Sequence, residues 1–345
     1  LVIQKRQTPF AKLDVKKHFT ILGTKFGLSY SLLLFKLMDE KQNDFRKYRK
    51  IIVKNKKILV AGYYGFKNTG DEAILSSMLA NLRAQKKNVD FIVVSGNPQE
   101  TKEYHQVEVV HWQDIQQILT AIKDSDLVII GGGGLFQDYW GAKINNLLTS
   151  EHAGISYYSG IGILAMLYNK PLMLYAVGVG PLLSSEGKEL TRLIFSLAKT
   201  ITVRDIETRN LLSSLGIANN KLIITNDPAL TFQSDKTKAK RILKKAGIIL
   251  EKENTVGVSI RNWDFGVAQE EWSKNVAGAL DLFVEKYQAQ ILFIPFQINE
   301  EELGDDYLIA QRIIEKMEHK NSTTSLSKVY SAEIMAGLVA CTDLM

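Results

Sequence analysis

A chain of 345 residues is long enough for two domains, and 46% hydrophobic residues is an ordinary share for a globular protein. The single cysteine, Cys341, excludes an internal disulfide framework and an all-cysteine zinc site, and it agrees with a reducing, cytoplasmic location. The net charge of +6 would attract anionic lipid or a diphosphate-linked substrate, but no helix-turn-helix, zinc-finger or RNP pattern accompanies it, so we expect no nucleic-acid partner.

Residues 1–57 differ from the rest of the chain. They have a basic start, a mostly apolar stretch at 19–38 and a charged run. Lys25 and Lys36 interrupt the apolar stretch, which argues against a clean membrane span of about 20 residues. Three interpretations stay open: an amphipathic helix on the inner membrane face, the end of an upstream membrane-associated segment, and a packed extension.

A glycine-punctuated loop joins an apolar run to a periodic helix at residues 58–75, with the sequence ILVAGYYGFKNTGDEAIL. This pattern is typical of the start of an open parallel α/β sheet, in which ligands bind at the carboxyl ends of the strands. A Walker loop is disfavoured, because Asp71 and Glu72 stand where it needs Lys and Ser or Thr.

The same loop can be interpreted in two ways. A well-capped helix explains the carboxylates in its first turn, but capping alone does not require so many glycines. Clustered glycines indicate a backbone that turns sharply and approaches a ligand closely. We therefore predict a substrate-binding loop whose candidate residues are Tyr64, Gly65, Asn68, Gly70, Asp71 and Glu72.

Strands and helices alternate regularly from residue 58 onward. The predicted strands of the first domain, 58–232, are 58–63, 89–95, 107–111, 127–131, 171–177, 200–204 and 222–225. The interval 134–169 is expected to contain a helix near 160–168 and a glycine-flanked segment over the cleft. This alternation predicts a doubly wound α/β sheet.

A polar segment, 233–254, is interpreted as a linker to a second Rossmann-like domain at 255–345. Strands are predicted there at 255–261, 291–295 and 323–326, with a helix at 332–340. The chain stops where another apolar strand would begin, so we expect this domain to be incomplete.

Four glycines, 131–134, follow the predicted strand core at 127–130. Because glycine is a poor strand and helix former, we expect these residues to expose backbone N–H groups to an anion or to leave room for a sugar. A tight turn packed under a helix is the structural alternative. The candidate substrate-binding residues here are Gly132, Gly133, Gly134, Gln137 and Asp138.

Two arginines, Arg204 and Arg261, end predicted strands in the two domains. A guanidinium fork matches phosphate and carboxylate geometry, so the pair could clamp an anion in a shared cleft. A structural pairing of Arg204 with Asp205 or Glu207 is the alternative.

Two polar residues also follow predicted strands. Asp227 precedes Pro228 and would be held outward, either as a general base for a sugar hydroxyl or in an Asx turn. Gln297 is a neutral hydrogen-bonding candidate for the substrate. The five histidines are scattered without zinc-ligand spacing, so we expect no metal site.

Seven motifs occur in a characteristic order: GYYG followed by N and GDEA at 62–73, GGGGLFQD at 131–138, GVGPL at 178–182, VRD at 203–205, DPA at 227–229, GVSIRNW at 257–263 and PFQ at 295–297. Together they resemble the polysaccharide pyruvyl transferase family, in the branch that adds a pyruvate ketal to a cell-wall polysaccharide precursor. The resemblance implies an architecture similar to the GT-B glycosyltransferases, with two Rossmann-like domains.

The resemblance also implies a reaction. Phosphoenolpyruvate would be the donor, no cofactor would be needed, and the acceptor would be N-acetylmannosamine in a lipid-diphosphate-linked saccharide, modified as a 4,6-ketal. Such a reaction needs a proton donor, a base and cationic groups, and the candidate catalytic residues singled out above are Arg204, Arg261 and Asp227. The family usually has an Arg-Leu-His motif soon after the point where this chain ends, so the chain alone is expected to be inactive. A GT-B glycosyltransferase that uses a nucleotide sugar and a non-catalytic sugar-binding module remain as alternatives.

Overall fold

A computed structural model describes residues 55–86, 88–139, 142–149, 151, 153–248, 254–262, 267–298 and 305–345. The predicted N-terminal extension, 1–57, lies outside the described residues except at its last three positions. The described residues belong to one compact unit, Asn55–Met345, which contains two parallel sheets. The predicted α/β class with two Rossmann-like sheets is therefore confirmed.

Seven strands form the first sheet: β1 (Lys56–Ala61), β2 (Val89–Ser95), β3 (Glu108–His111), β4 (Leu127–Phe136), β5 (Leu172–Val179), β6 (Thr200–Val203) and β7 (Leu222–Ile224). All neighbours are parallel, in the order β3-β2-β1-β4-β5-β6-β7. The accompanying helices are α1 (Thr69–Gln85), α2 (Pro98–His105), α3 (Ile115–Asp124), α4 (Gly154–Leu167), α5 (Ser185–Leu197) and α6 (Ile206–Ser214). The strand order reverses between β1 and β4, so a crevice is expected at their carboxyl ends.

Side chains of β1 alternate between the two faces of this sheet, as the two-residue period of a strand requires. Ile58 and Val60 pack with Ile74 of α1 on one face. Leu59 and Ala61 belong to the larger cluster under α3, α4 and α5 on the other face. Burial on both faces explains why the strands of this sheet are nearly continuous apolar runs.

Three parallel strands form the second sheet: β8 (Thr255–Val258), β9 (Gln290–Phe293) and β10 (Thr323–Ser325), in the order β10-β9-β8. Leu344 adds an isolated parallel bridge to Val256. Helices α8 (Gln269–Tyr287) and α9 (Asp306–Lys316) cover one face, and α7 (Lys236–Lys245) and α10 (Ala332–Val339) cover the other.

Helix α7 lies in the segment 233–254, which was predicted to be a linker. Its Ala239 and Leu243 are fully buried in the same cluster as Met335 and Leu338 of α10. Because the helix buries only one narrow face, most of its surface carries lysines. The sequence of the segment therefore resembles that of a solvent-exposed linker. This segment thus provides a helix that packs on one face of the second sheet. The bounds of the two domains remain a prediction.

Most element bounds agree with the sequence analysis to within three residues. Helix α4 is an exception, because it begins at Gly154, before the predicted 160–168. It is buried on most sides, so it lacks the amphipathic period that marks a helix start. In the part of the chain that the structure describes, no helix is both long enough and apolar enough to span a membrane.

Candidate active site

A buried tyrosine anchors the loop between β1 and α1. Tyr64 is fully buried, and its hydroxyl donates a hydrogen bond to the carbonyl of Gly131 on β4. Gly65 follows with a φ of +78°, and a Cβ there would lie 2.0 Å from the hydroxyl oxygen of Ser95. Glycine at this position therefore meets both a conformational and a steric requirement. Tyr64 was predicted to bind substrate, but full burial means that it shapes the loop from beneath.

The first turn of α1 is capped at the crevice. Oδ1 of Asn68 accepts hydrogen bonds from the amides of Gly70 at 3.0 Å and Asp71 at 3.3 Å. The amide of Gly65 donates to the Glu72 carboxylate at 2.7 Å. The well-capped helix that the sequence left as one alternative is present, and its cap orders the predicted substrate loop.

The glycines at 131–134 lie inside β4 and not in a turn after it. Gly132 has a φ of +74°, and the register of β4 against β5 shifts just after Gly133. A Cβ at Gly132 would lie 1.9 Å from Ile74 of α1, and one at Gly133 would lie 2.8 Å from an Asp71 carboxylate oxygen. The expectation that the strand ends at Gly131 was wrong, because a bulge accommodates such residues without ending the pairing. The glycines let the first turn of α1 approach the strand backbone.

Asp71 has a carboxyl group with an unusual proton affinity. Burial raises its pKa from 3.8 to about 7, and the negative charge of Glu72 acts in the same direction. The positive charges of Arg261 and Arg204 lower this pKa without offsetting burial, and Asp227 raises it slightly. The positive end of α1 also favours the carboxylate, typically by about 1 kcal/mol or less, which is smaller than the effect of burial. Asp71 can therefore give or accept a proton near neutral pH.

Arg204 follows β6 and lies across the carboxyl ends of β5 and β4. A Cβ on Gly178 would lie 2.7 Å from its Nε, and one on Gly134 would lie 3.7 Å from a terminal nitrogen. Its guanidinium pairs with Asp227 at 3.3 Å and with Asp205 at 3.5 Å. The side chain nevertheless stays 35% exposed, so the guanidinium can also meet a ligand.

Asp227 is engaged on both of its carboxylate oxygens. Oδ1 accepts a hydrogen bond from the amide of Ala229 at 2.9 Å and caps the short 3-10 helix Pro228–Thr231. Oδ2 accepts from Arg204 at 3.3 Å. The turn that the sequence left open is present, and these contacts position Arg204. The role of Asp227 as a general base stays a prediction.

Gln297 connects the second sheet to the first turn of α1. Its Oε1 accepts hydrogen bonds from Nδ2 of Asn68 at 3.3 Å and from a terminal nitrogen of Arg261. Thr69 donates to the carbonyl of Phe296 through its amide at 3.1 Å and its hydroxyl at 3.0 Å. Gln297 was predicted to bind substrate, but it is 2% exposed, and its oxygen is occupied by protein donors.

Asp306, the first residue of α9, was not singled out from the sequence. Its Oδ2 accepts hydrogen bonds from the amides of Phe296 and Gln297, both at 2.9 Å. Its Oδ1 lies 3.8 Å from Nε of Arg261. Burial raises the pKa of Asp306, against the opposing effect of those two amides and of Arg261. Its only signal in the sequence is a carboxylate at a helix start, which says nothing about the loop it holds.

Asp138 holds a different loop, the one before α5. Its Oδ1 accepts from the amide of Leu183 at 2.5 Å, and its Oδ2 accepts from the amide and the hydroxyl of Ser184 at 2.7 and 2.5 Å. Burial acts to raise the pKa of Asp138, but these hydrogen bonds lower it below the ordinary value. Asp138 was predicted to bind substrate, but these contacts support a structural role in holding this loop. Gln137 beside it has a buried Oε1 without a hydrogen-bond partner among the described residues.

Contacts place Asp71 close to both arginines. A Cβ on Gly133 would lie 2.8 Å from Asp71, and one on the adjacent Gly134 would lie 3.7 Å from Arg204. Arg261 donates to the same Gln297 oxygen as Asn68, and Asn68 in turn accepts the amide of Asp71. Two arginines suit a small anion that carries a phosphate and a carboxylate. A carboxyl group that titrates near neutral pH suits proton transfer to or from that anion.

Comparison with known proteins identifies sequence relatives. A family model described as "Polysaccharide pyruvyl transferase" matches residues 68–344. The amylovoran biosynthesis protein AmsJ of Erwinia amylovora is 22% identical over 290 residues, which cover 68% of this chain and 65% of that protein. The chain therefore spans slightly less than two thirds of the length of this curated relative.

Several solved structures share the fold. The complex of S. aureus MnaA with UDP has a TM-score of 0.55 at 14% identity, over 83% of this chain and 72% of that one. The UDP-GlcNAc 2-epimerase of Neisseria meningitidis has a TM-score of 0.52 at 12% identity, over 83% and 76%. Anabaena Alr3699/HepE with UDP-glucose has a TM-score of 0.53 at 12% identity, over 83% and 72%. At these identities the likeness shows the fold alone, and it confirms the predicted resemblance to the GT-B architecture.

Proposed function

Because the chain belongs to the polysaccharide pyruvyl transferase family, we propose that it transfers the pyruvyl group of phosphoenolpyruvate to one sugar of a cell-wall polysaccharide precursor. The proposed acceptor is N-acetylmannosamine in a lipid-diphosphate-linked saccharide at the inner membrane face, and the product is its 4,6-ketal. The observation that carries the proposal is the grouping of Asp71 with Arg204 and Arg261 at the crevice, where burial raises the pKa of Asp71 to about 7.

The two arginines would bind the donor. Phosphoenolpyruvate has a phosphate and a carboxylate, and each matches the fork of a guanidinium. Arg204 and Arg261 have side chains that are 35% and 49% exposed, so both remain accessible to an anion in the crevice. Their positive charge would also stabilise negative charge on the departing phosphate.

Asp71 would carry the proton. It would give its proton to C3 of the enol, which becomes a methyl group and leaves C2 electron-deficient. The first sugar hydroxyl then bonds to C2, and its proton returns to Asp71. Phosphate leaves as its C2–O bond breaks, the second hydroxyl bonds to C2, and the proton of that hydroxyl leaves with the phosphate. One hydroxyl proton thus replaces the one given to the methyl group, and the other ends on phosphate.

The reaction can be tested with the full-length protein and a lipid-diphosphate-linked acceptor that contains N-acetylmannosamine. Parallel reactions receive phosphoenolpyruvate or UDP-GlcNAc as the donor. We expect release of inorganic phosphate and an acceptor heavier by one pyruvate less one water. Release of UDP alone would identify a glycosyltransferase and overturn the proposal.

The role of Asp71 can be tested against that of Asp227 by replacing each with asparagine. Asp71→Asn should lower kcat by roughly 10²–10⁴-fold, because the amide cannot carry the proton. The ionisation near pH 7 in the profile of kcat/KM should disappear as well. Asp227→Asn should mainly raise KM for phosphoenolpyruvate, by loosening Arg204. The opposite pattern would assign the proton transfer to Asp227.

A further inference from the structure

A cleft of about 380 Å³ lies beside the first turn of α1. Its walls come from the loop before α1, from α2 and from the residues that lead into α10. Asp71 faces Gly133 of β4, whereas the next residue, Glu72, lines this cleft. The cleft is thus one residue along the helix from the proposed proton carrier, and its size is within the range of small-molecule sites.

Two carboxylates, Glu72 and Glu100, line the cleft, and protein contacts hold both of them. Glu72 accepts the amide of Gly65 at 2.7 Å, and its other oxygen lies 3.5 Å from Nε2 of the buried His105. Glu100 accepts a hydrogen bond from Nδ2 of Asn97 at 2.9 Å. Carboxylates held in this way are strong acceptors for the hydroxyl groups of a ligand.

The rest of the wall combines aromatic rings with hydrogen-bond donors. Tyr104 and Tyr330 line the cleft, and the Tyr104 hydroxyl donates to Glu333 of α10, so that ring is held in place. Ser331, the N-cap of α10, forms no side-chain cap hydrogen bond. The first amides of a helix need partners, and oxygens of a ligand can supply them. Aromatic faces with a few fixed polar groups suit a ring that is apolar on its faces and polar at its edge.

The charges of the cleft decide between two ligand classes. A nucleotide would bring phosphate groups next to Glu72 and Glu100, with Lys67 as the cation of the lining. A neutral saccharide avoids this repulsion, and its hydroxyl groups can donate to both carboxylates. We propose that this cleft binds a neutral sugar unit of the acceptor, next to the sugar that receives the pyruvyl group. The inference rests on the proposed function for the identity of the acceptor.

Glu100→Gln tests the inference, with Glu103→Gln on the same helix as the matched control. Glu103 lies outside the cleft lining and interacts with Gln99 within α2. The probe is chitobiose, a soluble disaccharide of two N-acetylhexosamines, and saturation-transfer NMR on the full-length protein measures its binding. We expect chitobiose to bind the native protein and the control equally and Glu100→Gln about tenfold more weakly, through loss of one charged hydrogen bond. In turnover assays, Glu100→Gln should raise KM for the acceptor and leave KM for phosphoenolpyruvate unchanged.

Tyr330→Ala is a second, independent test of saccharide binding in the cleft, and its melting temperature is measured to confirm that the variant folds. It should also weaken chitobiose binding. Equal chitobiose binding by the native protein, Glu100→Gln and folded Tyr330→Ala would overturn the inference. Binding of UDP that Tyr330→Ala weakens, without binding of chitobiose, would instead assign the cleft to a nucleotide. If chitobiose binds as expected but phosphoenolpyruvate is not consumed, the proposed function fails while the saccharide site stands.

Discussion

Asp71 links the stability of the fold to pH through a single residue. Its pKa is about 7 in the folded protein, against an ordinary value of 3.8. The folded state therefore holds this proton more tightly than the unfolded state. The contribution of the protonated Asp71 to the free energy of unfolding is fully present below about pH 4 and is lost as the pH rises to about 7. The difference between these two pKa values corresponds to up to about 4 kcal/mol of stability.

Asp71→Asn should accordingly be more stable than the native protein at pH 8, with the difference closing toward pH 4 to 5. The amide cannot ionise, so it avoids the cost of a buried charge. Chemical denaturation at both pH values and constant ionic strength measures the difference. Asp124→Asn, at the exposed end of α3, is the control. It should change the free energy of unfolding by the same small amount at the two pH values. A pH-independent difference for Asp71→Asn would contradict the argument.

Arg261 offers a second test at the residue scale. Its side chain is 49% exposed and contacts Gln297 and Asp306. Arg261→Lys keeps the charge but loses the fork, so KM for phosphoenolpyruvate should rise while the melting temperature stays nearly unchanged. Steady-state kinetics and thermal unfolding of the same preparation measure both. A lower melting temperature with unchanged kinetics would identify Arg261 as a structural residue.

At the scale of elements, the contact between α1 and β4 positions the site. The strand backbone at Gly132 lies so close to Ile74 that an added Cβ would be 1.9 Å away. This contact depends on a left-handed residue in the strand, and it is what brings Asp71 over Gly133. The helix end and the bulged strand therefore act as one structural unit.

Gly132→Ala and Gly70→Ala test that unit as a pair. Gly132→Ala should lower the free energy of unfolding by about 2–5 kcal/mol, from a left-handed alanine and from overpacking against Ile74. Gly70 lies inside the first turn of α1, where a Cβ would meet only Oδ1 of Asn68 at 3.3 Å. Gly70→Ala should therefore stay within about 1 kcal/mol of the native protein. Urea denaturation measures both, and equal losses would show that the first turn is as constrained as the bulge.

At the scale of the whole molecule, a few polar contacts join the two sheets. Thr69 and Asn68 of the first-sheet side bind Phe296 and Gln297 of the second, and Tyr104 binds Glu333. The Gln297 oxygen that accepts from Asn68 also accepts from Arg261, so these contacts bring Arg261 to the first turn of α1. The proposed donor site therefore depends on the contacts between the two sheets.

Thr69→Val removes the hydroxyl bond to Phe296 and keeps the shape of the side chain and its amide. This substitution should weaken the contact between the two sheets by about 1 kcal/mol. It should also speed hydrogen exchange of the Thr69 amide, which donates to the carbonyl of Phe296 on the other side of that contact. Thr120→Val, which removes a hydroxyl bond within α3, is the control and should leave that exchange unchanged. Unchanged exchange in Thr69→Val would show that the Thr69 hydroxyl does not contribute to the contact between the sheets.

The sequence by itself determined the fold class, the family and the positions of the strands, apart from the end of β4. Strand periodicity and glycine punctuation are local, so they can be read along the chain, and the cluster of motifs at strand ends marked the crevice. Asp71, Arg204 and Arg261 were recognised for the same reason, because each follows a strand or opens a helix.

Only the tertiary structure decided which groups those residues contact. The bulge that carries β4 through its glycines, the burial of Tyr64 and the loop held by Asp138 depend on contacts between elements far apart in the chain. Asp306 accepts the amide of Gln297, and its carboxylate at a helix start gives no indication of that contact in the sequence. The pKa of Asp71 rises because packing removes water from its carboxyl group, and desolvation is a property of the folded surroundings, not of the residue or its neighbours in sequence.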